Sequence, residues 1–421
     1  MIKLRPFIVV ILLLGIASCI QKEKDQVPKN TNTTKPNQGI QIGQFDSLYS
    51  KILNQERKLI IYLPESFKDL SKKREKYPVV YLLDGSYNFI LLVGMLKQYS
   101  EKNEKILPEM IVVGIENIDF KSRRMDFSPT TNGNPKEFGG GEKFLSFLEK
   151  ELFPYIEKNY AGSGNRTIIG HSFGGLVVMN ALTNHSEMFT NYLMIDGSLY
   201  FDDELFLKNS EYSLKGKDLK DKNLYIGIAN TATYGSSLQS VRKDTIGANR
   251  YVRHSLELVN QINKMNTNLN MKCKYYKNDT HGSSAFLSQL DGLRFFYSWF
   301  EFKKEQKYRH KYFVPKTQDE RFANLTKSHY DNVSKKLGYT FKPERDWLSK
   351  YAYSLNSFQN QPEQAIETYK LNINYYPKTS KVYEDLADFY LLLKDTANAA
   401  LYNHKALNIK NNTSTDEMVI E

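Results

Sequence analysis

The run Gly170-His171-Ser172-Phe173-Gly174-Gly175 sets a serine inside G-x-S-x-G, with an apolar β-branched stretch before it and Leu176-Val177-Val178-Met179 after it. A serine that attacks a carbonyl must stand on a sharp strand-to-helix turn. There its Oγ projects clear of the sheet, and the first amides of the helix face the developing oxyanion. Glycine at 170 and 174 removes side chains that would crowd such a turn. The pattern predicts Ser172 as a nucleophile, against the plainer reading of a Gly/Ser-rich turn without chemistry.

A serine nucleophile needs a base at neutral pH, and a carboxylate normally orients that base. Beyond Ser172 the chain offers His185, His254, His281, His310, His329 and His404. His281 lies in Asn278-Asp279-Thr280-His281-Gly282-Ser283, after a strand-like segment and before a helical one, which makes it the expected base. His185 and His254 fall in helical stretches, and the last three lie beyond the sheet-forming region. For the acid the expectation is Asp244, ahead of a helical stretch; Asp196, Glu257, Asp279 and a bare Ser-His dyad stay open. The amides of Phe173 and Ser86 are the expected oxyanion donors, Ser86 sitting in Leu83-Asp84-Gly85-Ser86-Tyr87.

No His/Cys/carboxylate cluster has ligand spacing, so no metal is expected. Gly139-Gly140-Gly141 lacks the Lys-Ser/Thr ending of a phosphate loop, and no other cofactor is expected.

Elements able to hold these residues follow from periodicity. Short apolar runs at 58–63, 78–83, 110–115, 166–169, 192–195, 224–228 and 269–276 alternate with helical stretches at 88–100, 141–158, 174–186, 248–265 and 284–302. That alternation predicts an α/β fold with a mainly parallel sheet covered by helices on both faces.

Composition agrees: 421 residues, 41% apolar and 25% charged, exclude intrinsic disorder and a disulfide scaffold, and the length suits one large domain plus a smaller one. The net charge of +11 is scattered, without dense Lys/Arg blocks interleaved with aromatics, so nucleic acid is not an expected partner, while an anionic small substrate is compatible.

Five ordered motifs carry a resemblance: Tyr77-Pro78-Val79-Val80-Tyr81-Leu82-Leu83-Asp84-Gly85, Ile111-Val112-Val113-Gly114-Ile115-Glu116-Asn117, Asp126-Phe127-Ser128-Pro129, the Ser172 motif and His281-Gly282-Ser283. Together, over about 44–302, they resemble the esterase D and enterochelin-esterase-like group of α/β-hydrolases. The resemblance implies an α/β-hydrolase fold and ester cleavage through an acyl-enzyme on Ser172, with siderophore or carbohydrate esters as substrates. It implies His281 as base and Ser86 and Phe173 as oxyanion donors, and it favours Asp244. Arg123-Arg124-Met125-Asp126 departs from the group's pattern of Arg directly before Asp, which removes the basis for a substrate contact by that arginine. An acyltransferase and a non-catalytic binding protein are the rival readings.

At the N-terminus, Lys3 and Arg5 precede an apolar run, Phe7 to Ile16, that is too short to span a bilayer and reads as a signal peptide over 1–18. Ile16-Ala17-Ser18-Cys19 resembles a lipobox, so Cys19 is the expected lipidation site, followed by a polar tether over 19–43. The expected location is the cell envelope, on a lipid anchor in the outer membrane. Cys273 is the one other cysteine, expected to be a buried strand residue.

After a connecting helical segment at 303–345, Ala352 and Leu386, Leu355 and Phe389, and Ala365 and Ala399 are each 34 apart. The period predicts two tetratricopeptide-like repeats over 346–413, either a protein-binding groove or a helical cap.

Overall fold

A computed structural model describes residues 41–68, 75–101 and 105–417 of the chain; the expected signal peptide, Cys19 and all but the end of the tether lie outside them. Eight strands form one sheet: β1 (Gln44–Ser50), β2 (Gln55–Tyr62), β3 (Tyr77–Leu83), β4 (Ile111–Ile115), β5 (Gly162–His171), β6 (Asn191–Ile195), β7 (Asn223–Ala229) and β8 (Asn270–Tyr276). Their spatial order is β1-β2-β4-β3-β5-β6-β7-β8. β1 and β2 pair antiparallel, as do β2 and β4, and β3 to β8 run parallel. This is the α/β-hydrolase class the sequence predicts.

Every residue of β3, β4 and β6 is buried, as a sheet covered on both faces requires. The two-residue pleat sorts β3 between two cores. Tyr77, Val79, Tyr81 and Leu83 pack on one face with Phe144, Phe153 and Leu176, while Val80 and Leu82 pack on the other with Leu92, Leu293 and Tyr297.

The structure revises several expectations. The β1–β2 hairpin was not anticipated, because β1 alternates around exposed residues and lacks an apolar run. β5 begins at Gly162, four residues before the apolar stretch that marks it. Cys273 is exposed, not buried, because β8 is an edge strand whose outer side has no neighbouring strand among the described residues.

Beyond the sheet the chain is helical: Phe322–Leu337, Arg345–Ser357, Pro362–Tyr375, Ser380–Leu392 and Thr396–Glu417. Leu348, Ala352, Leu355, Ala365, Leu386 and Phe389 form their core. The first of these helices belongs to two cores at once. Phe322 and Leu325 lie in the helical cluster, while Val333 and Leu337 join the Leu82 face of the sheet. It bridges the two parts of the molecule, helped by Asn165 Nδ2, which donates to the Lys336 carbonyl at 3.3 Å, and by the Lys105–Glu344 ion pair.

Candidate active site

β5 ends at His171 and the helix Phe173–Asn184 begins two residues later, so Ser172 alone makes the turn. Its backbone sits at φ 59°, ψ −118°, a conformation that costs an L-residue about 1–3 kcal/mol. Neighbouring chain holds it there: Ser172 N–H donates to the Ile195 carbonyl (3.0 Å), and its own carbonyl accepts from the amides of Gly175 (2.9 Å) and Ser198 (3.1 Å). A Cβ on Gly170 would stand 2.1 Å from the Gly174 carbonyl oxygen, and one on Gly175 would stand 2.8 Å from Gly197 Cα. Glycine at these two positions is what lets strand and helix close on each other.

His281 follows β8, at the same carboxyl end of the parallel strands as Ser172. Its Nδ1 lies 2.5 Å from Asp196 Oδ2, and Asp196 is fully buried at the end of β6. The Ala229 amide donates to the other carboxylate oxygen at 3.2 Å, and Asp196 N–H donates to the Gly227 carbonyl at 2.8 Å. A buried carboxylate satisfied on both oxygens fixes the imidazole with Nε2 directed away from it.

This corrects the expected acid. Asp244 does not reach His281; it accepts from Asn249 Nδ2 (2.6 Å) and from Arg253 (3.1 Å), and so fastens the turn before the helix Arg250–Lys264. The chain order of serine, acid and histidine is preserved, with the acid one strand earlier. Asp279 accepts from Ser283 Oγ at 3.0 Å and organises the His281 loop.

His171, the residue before Ser172, brings the His281 loop to the serine turn. The His171 ring centroid is 4.4 Å from that of His281, and His171 Nε2 donates to the His281 carbonyl at 2.8 Å. Burial, with the adjacent His281 imidazole next, holds the His171 imidazole below its ordinary pKa, consistent with a neutral donor. Tyr251 also lies against His281, 4.9 Å between ring centroids. Ser172 Oγ is 3.3 Å from Ser198 Oγ.

The two expected oxyanion donors lie on adjacent strand ends, since β3 pairs with β5. Phe173 opens one helix, and Ser86 is the second residue of another, Gly85–Leu96, so neither amide has an acceptor within its own helix. Asp84, at φ 53°, ends β3 and takes a bidentate bond from Arg123 (2.6 and 2.7 Å) and one from Asn117 Nδ2 (2.5 Å). The Arg123 guanidinium also lies 6.0 Å from the Phe173 ring. Arg123 therefore braces the turn that leads into Ser86. Asp126 is spent elsewhere, in a buried ion pair with Arg57.

Three other histidines have partners of their own: His185 meets Glu142 at 2.8 Å, His254 meets Glu204 at 3.0 Å and His329 stacks on Phe302. Sequence reasoning did not single out His171, Ser198 or Tyr251. The first was visible as the x of G-x-S-x-G; the others carry no spacing signal and reach the site only through the tertiary fold.

With this geometry in view, residues 50–249 match a family described as putative esterase. Ferri-bacillibactin esterase BesA of Bacillus subtilis is 33% identical over 168 residues, 36% of this chain and 58% of that protein, so the chain spans little more than half of that relative's length. An IroE-like serine hydrolase from Shewanella oneidensis superposes with a TM-score of 0.62 at 29% identity, covering 79% of this chain and 99% of that one. An uncharacterised protein from Capnocytophaga ochracea shares the fold, with a TM-score of 0.60 at 18% identity over 86% and 93% of the two chains. The matches support an esterase family.

Proposed function

We propose that the protein is a carboxylic ester hydrolase working through a serine acyl-enzyme. The observation that carries this reading is the His281–Asp196 contact formed beside a strained Ser172 elbow. Ser172 Oγ turns from Ser198 to attack the ester carbonyl and passes its proton to His281 Nε2. Asp196, accepting from Nδ1–H, stabilises the imidazolium that results. The oxyanion is held by the Phe173 and Ser86 amides until the bond to the alcohol breaks and His281 protonates the departing oxygen. Water repeats the sequence on the acyl-enzyme and frees the acid.

Siderophore esters are the proposed substrates, by similarity to BesA, whose name specifies ferri-bacillibactin. We propose further that Cys19 carries a lipid anchor that tethers the protein to the cell envelope, and that the two C-terminal hairpins, helices 345–375 and 380–417, act as tetratricopeptide-type repeats toward a protein partner. Cys19→Ala should move the protein from the membrane to the soluble fraction and abolish acyl labelling; an unchanged distribution would refute the anchor.

The catalytic reading is tested by fluorophosphonate labelling with peptide mapping. The expected result is one adduct on Ser172, and a loss of at least about 10⁴-fold in ester turnover for Ser172→Ala with an unaltered circular dichroism spectrum. Folded protein that neither labels nor hydrolyses activated esters would sink it.

A further inference from the structure

A second cluster stands against His281, and neither the acyl-transfer machinery nor the similarities account for it. Arg250 opens the helix Arg250–Lys264 and is exposed; its guanidinium lies 3.7 Å from the Tyr200 ring centroid. Tyr200 and Tyr251 share a hydrogen bond between their hydroxyls at 3.0 Å, with the rings edge to face at 5.0 Å. The Tyr251 ring then lies 4.9 Å from the His281 ring, centroid to centroid. A chain of direct contacts thus runs from a stacked cation to the expected base.

The neighbouring arginines are neutralised: Arg123 by Asp84 and Arg253 by Asp244. Among the described residues Arg250 has no carboxylate within ion-pair distance. A guanidinium stacked on an aromatic face keeps its fork of donors in plane and free for an incoming oxyanion.

The side of the site decides which part of the substrate meets it. Ser86 enters from β3, on one flank of β5. Ser198, Arg250, Tyr251 and His281 follow β6, β7 and β8, on the opposite flank. The group that protonates the departing alcohol therefore stands on the flank that holds Arg250.

We infer that Arg250, stacked on Tyr200 and linked through Tyr251 to His281, forms an anion-binding subsite for the alcohol portion of the ester, selecting leaving groups that carry a carboxylate or phenolate. The inference rests on the esterase reading above and adds the charge and the side of its substrate. The exposed position of Arg250 sets the scale: a solvent-facing ion pair gives up to about five-fold in kcat/KM, reduced as ionic strength rises.

The test compares 4-acetoxybenzoate with its methyl ester, in which the charge on the leaving phenol is present or masked, and phenyl hemisuccinate with phenyl butyrate, in which charge is placed on the acyl side. Each ratio of kcat/KM is measured on one preparation, so a partly unfolded variant leaves it unchanged, and comparing variants cancels intrinsic ester reactivity. The ratio for the first pair should fall about five-fold in Arg250→Gln, fall less in Arg250→Lys, and shrink in the native protein with added salt. The ratio for the second pair should be the same in all three. A first ratio unmoved by Arg250→Gln overturns the subsite, as does a change confined to the second pair. Failure of every ester together with absence of Ser172 labelling would instead bring down the esterase reading, and the subsite with it.

Discussion

The contrast between two aspartates is the sharpest check at the scale of single residues. Asp196 is dry, 2.5 Å from the imidazole, and satisfied on its other oxygen by Ala229, whereas Asp244 ties a turn. Asp196→Asn should lower kcat by about 10³–10⁴-fold, because an amide cannot hold the required tautomer, with the fold intact. Asp244→Asn should leave kcat within about three-fold and act on stability alone. Reversed magnitudes in steady-state assays would restore the acid expected from sequence. Ser172 and His281 were legible because each carries a local signature: glycines around a strand-to-helix turn for one, and a post-strand loop opening a helix for the other. Asp196 had only Ile195-Asp196-Gly197-Ser198, a strand end like many others. Its role depends on β6 lying two strands from β8 and on the Asp196 amide bonding to β7, pairings that no local pattern encodes.

Among the elements, the turn between β5 and its helix is the one that tolerates least. A methyl group at position 170 would meet a carbonyl oxygen at 2.1 Å, which only backbone displacement can relieve. Gly170→Ala should therefore cost about 3 kcal/mol or more in urea unfolding and remove Ser172 labelling; a stable, labelled variant would contradict the packing described. Gly94, whose added Cβ would meet nothing within 4 Å, supplies the control: Gly94→Ala in an exposed helical position should be neutral or stabilising. The central strands were legible from their apolar runs, since full burial leaves no room for alternation. The β1–β2 hairpin was not, because its outer strand is exposed along most of its length and its register rests on pairing with β2.

Across the whole molecule, the bridging helix Phe322–Leu337 ties catalytic sheet and helical hairpins into adjoining cores. His329 on that helix stacks on Phe302 at 4.6 Å, and burial lowers its pKa from 6.5 to about 4. The unfolded chain takes up this proton first, so the contribution is complete above about pH 6.5 and declines as pH falls toward 4. Since the ring is only half-buried, the loss should be about 1–2 kcal/mol, and His329→Phe, which keeps the stack, should flatten the fall in Tm between pH 7 and 4. An equally steep fall in the variant would assign the acid sensitivity to other groups. The shared helix also bears on what a cut would do. Tyr312 and Val314 stand exposed in the segment that precedes it, so trypsin should cleave at Lys311 or Lys316. The carboxy-terminal fragment would still carry Val333, Leu337 and Phe341, the side chains that plug the flank of the sheet. Nicked protein should therefore migrate as one species on a native gel and as two in detergent, an enzyme in two pieces that stays assembled after its covalent link is gone.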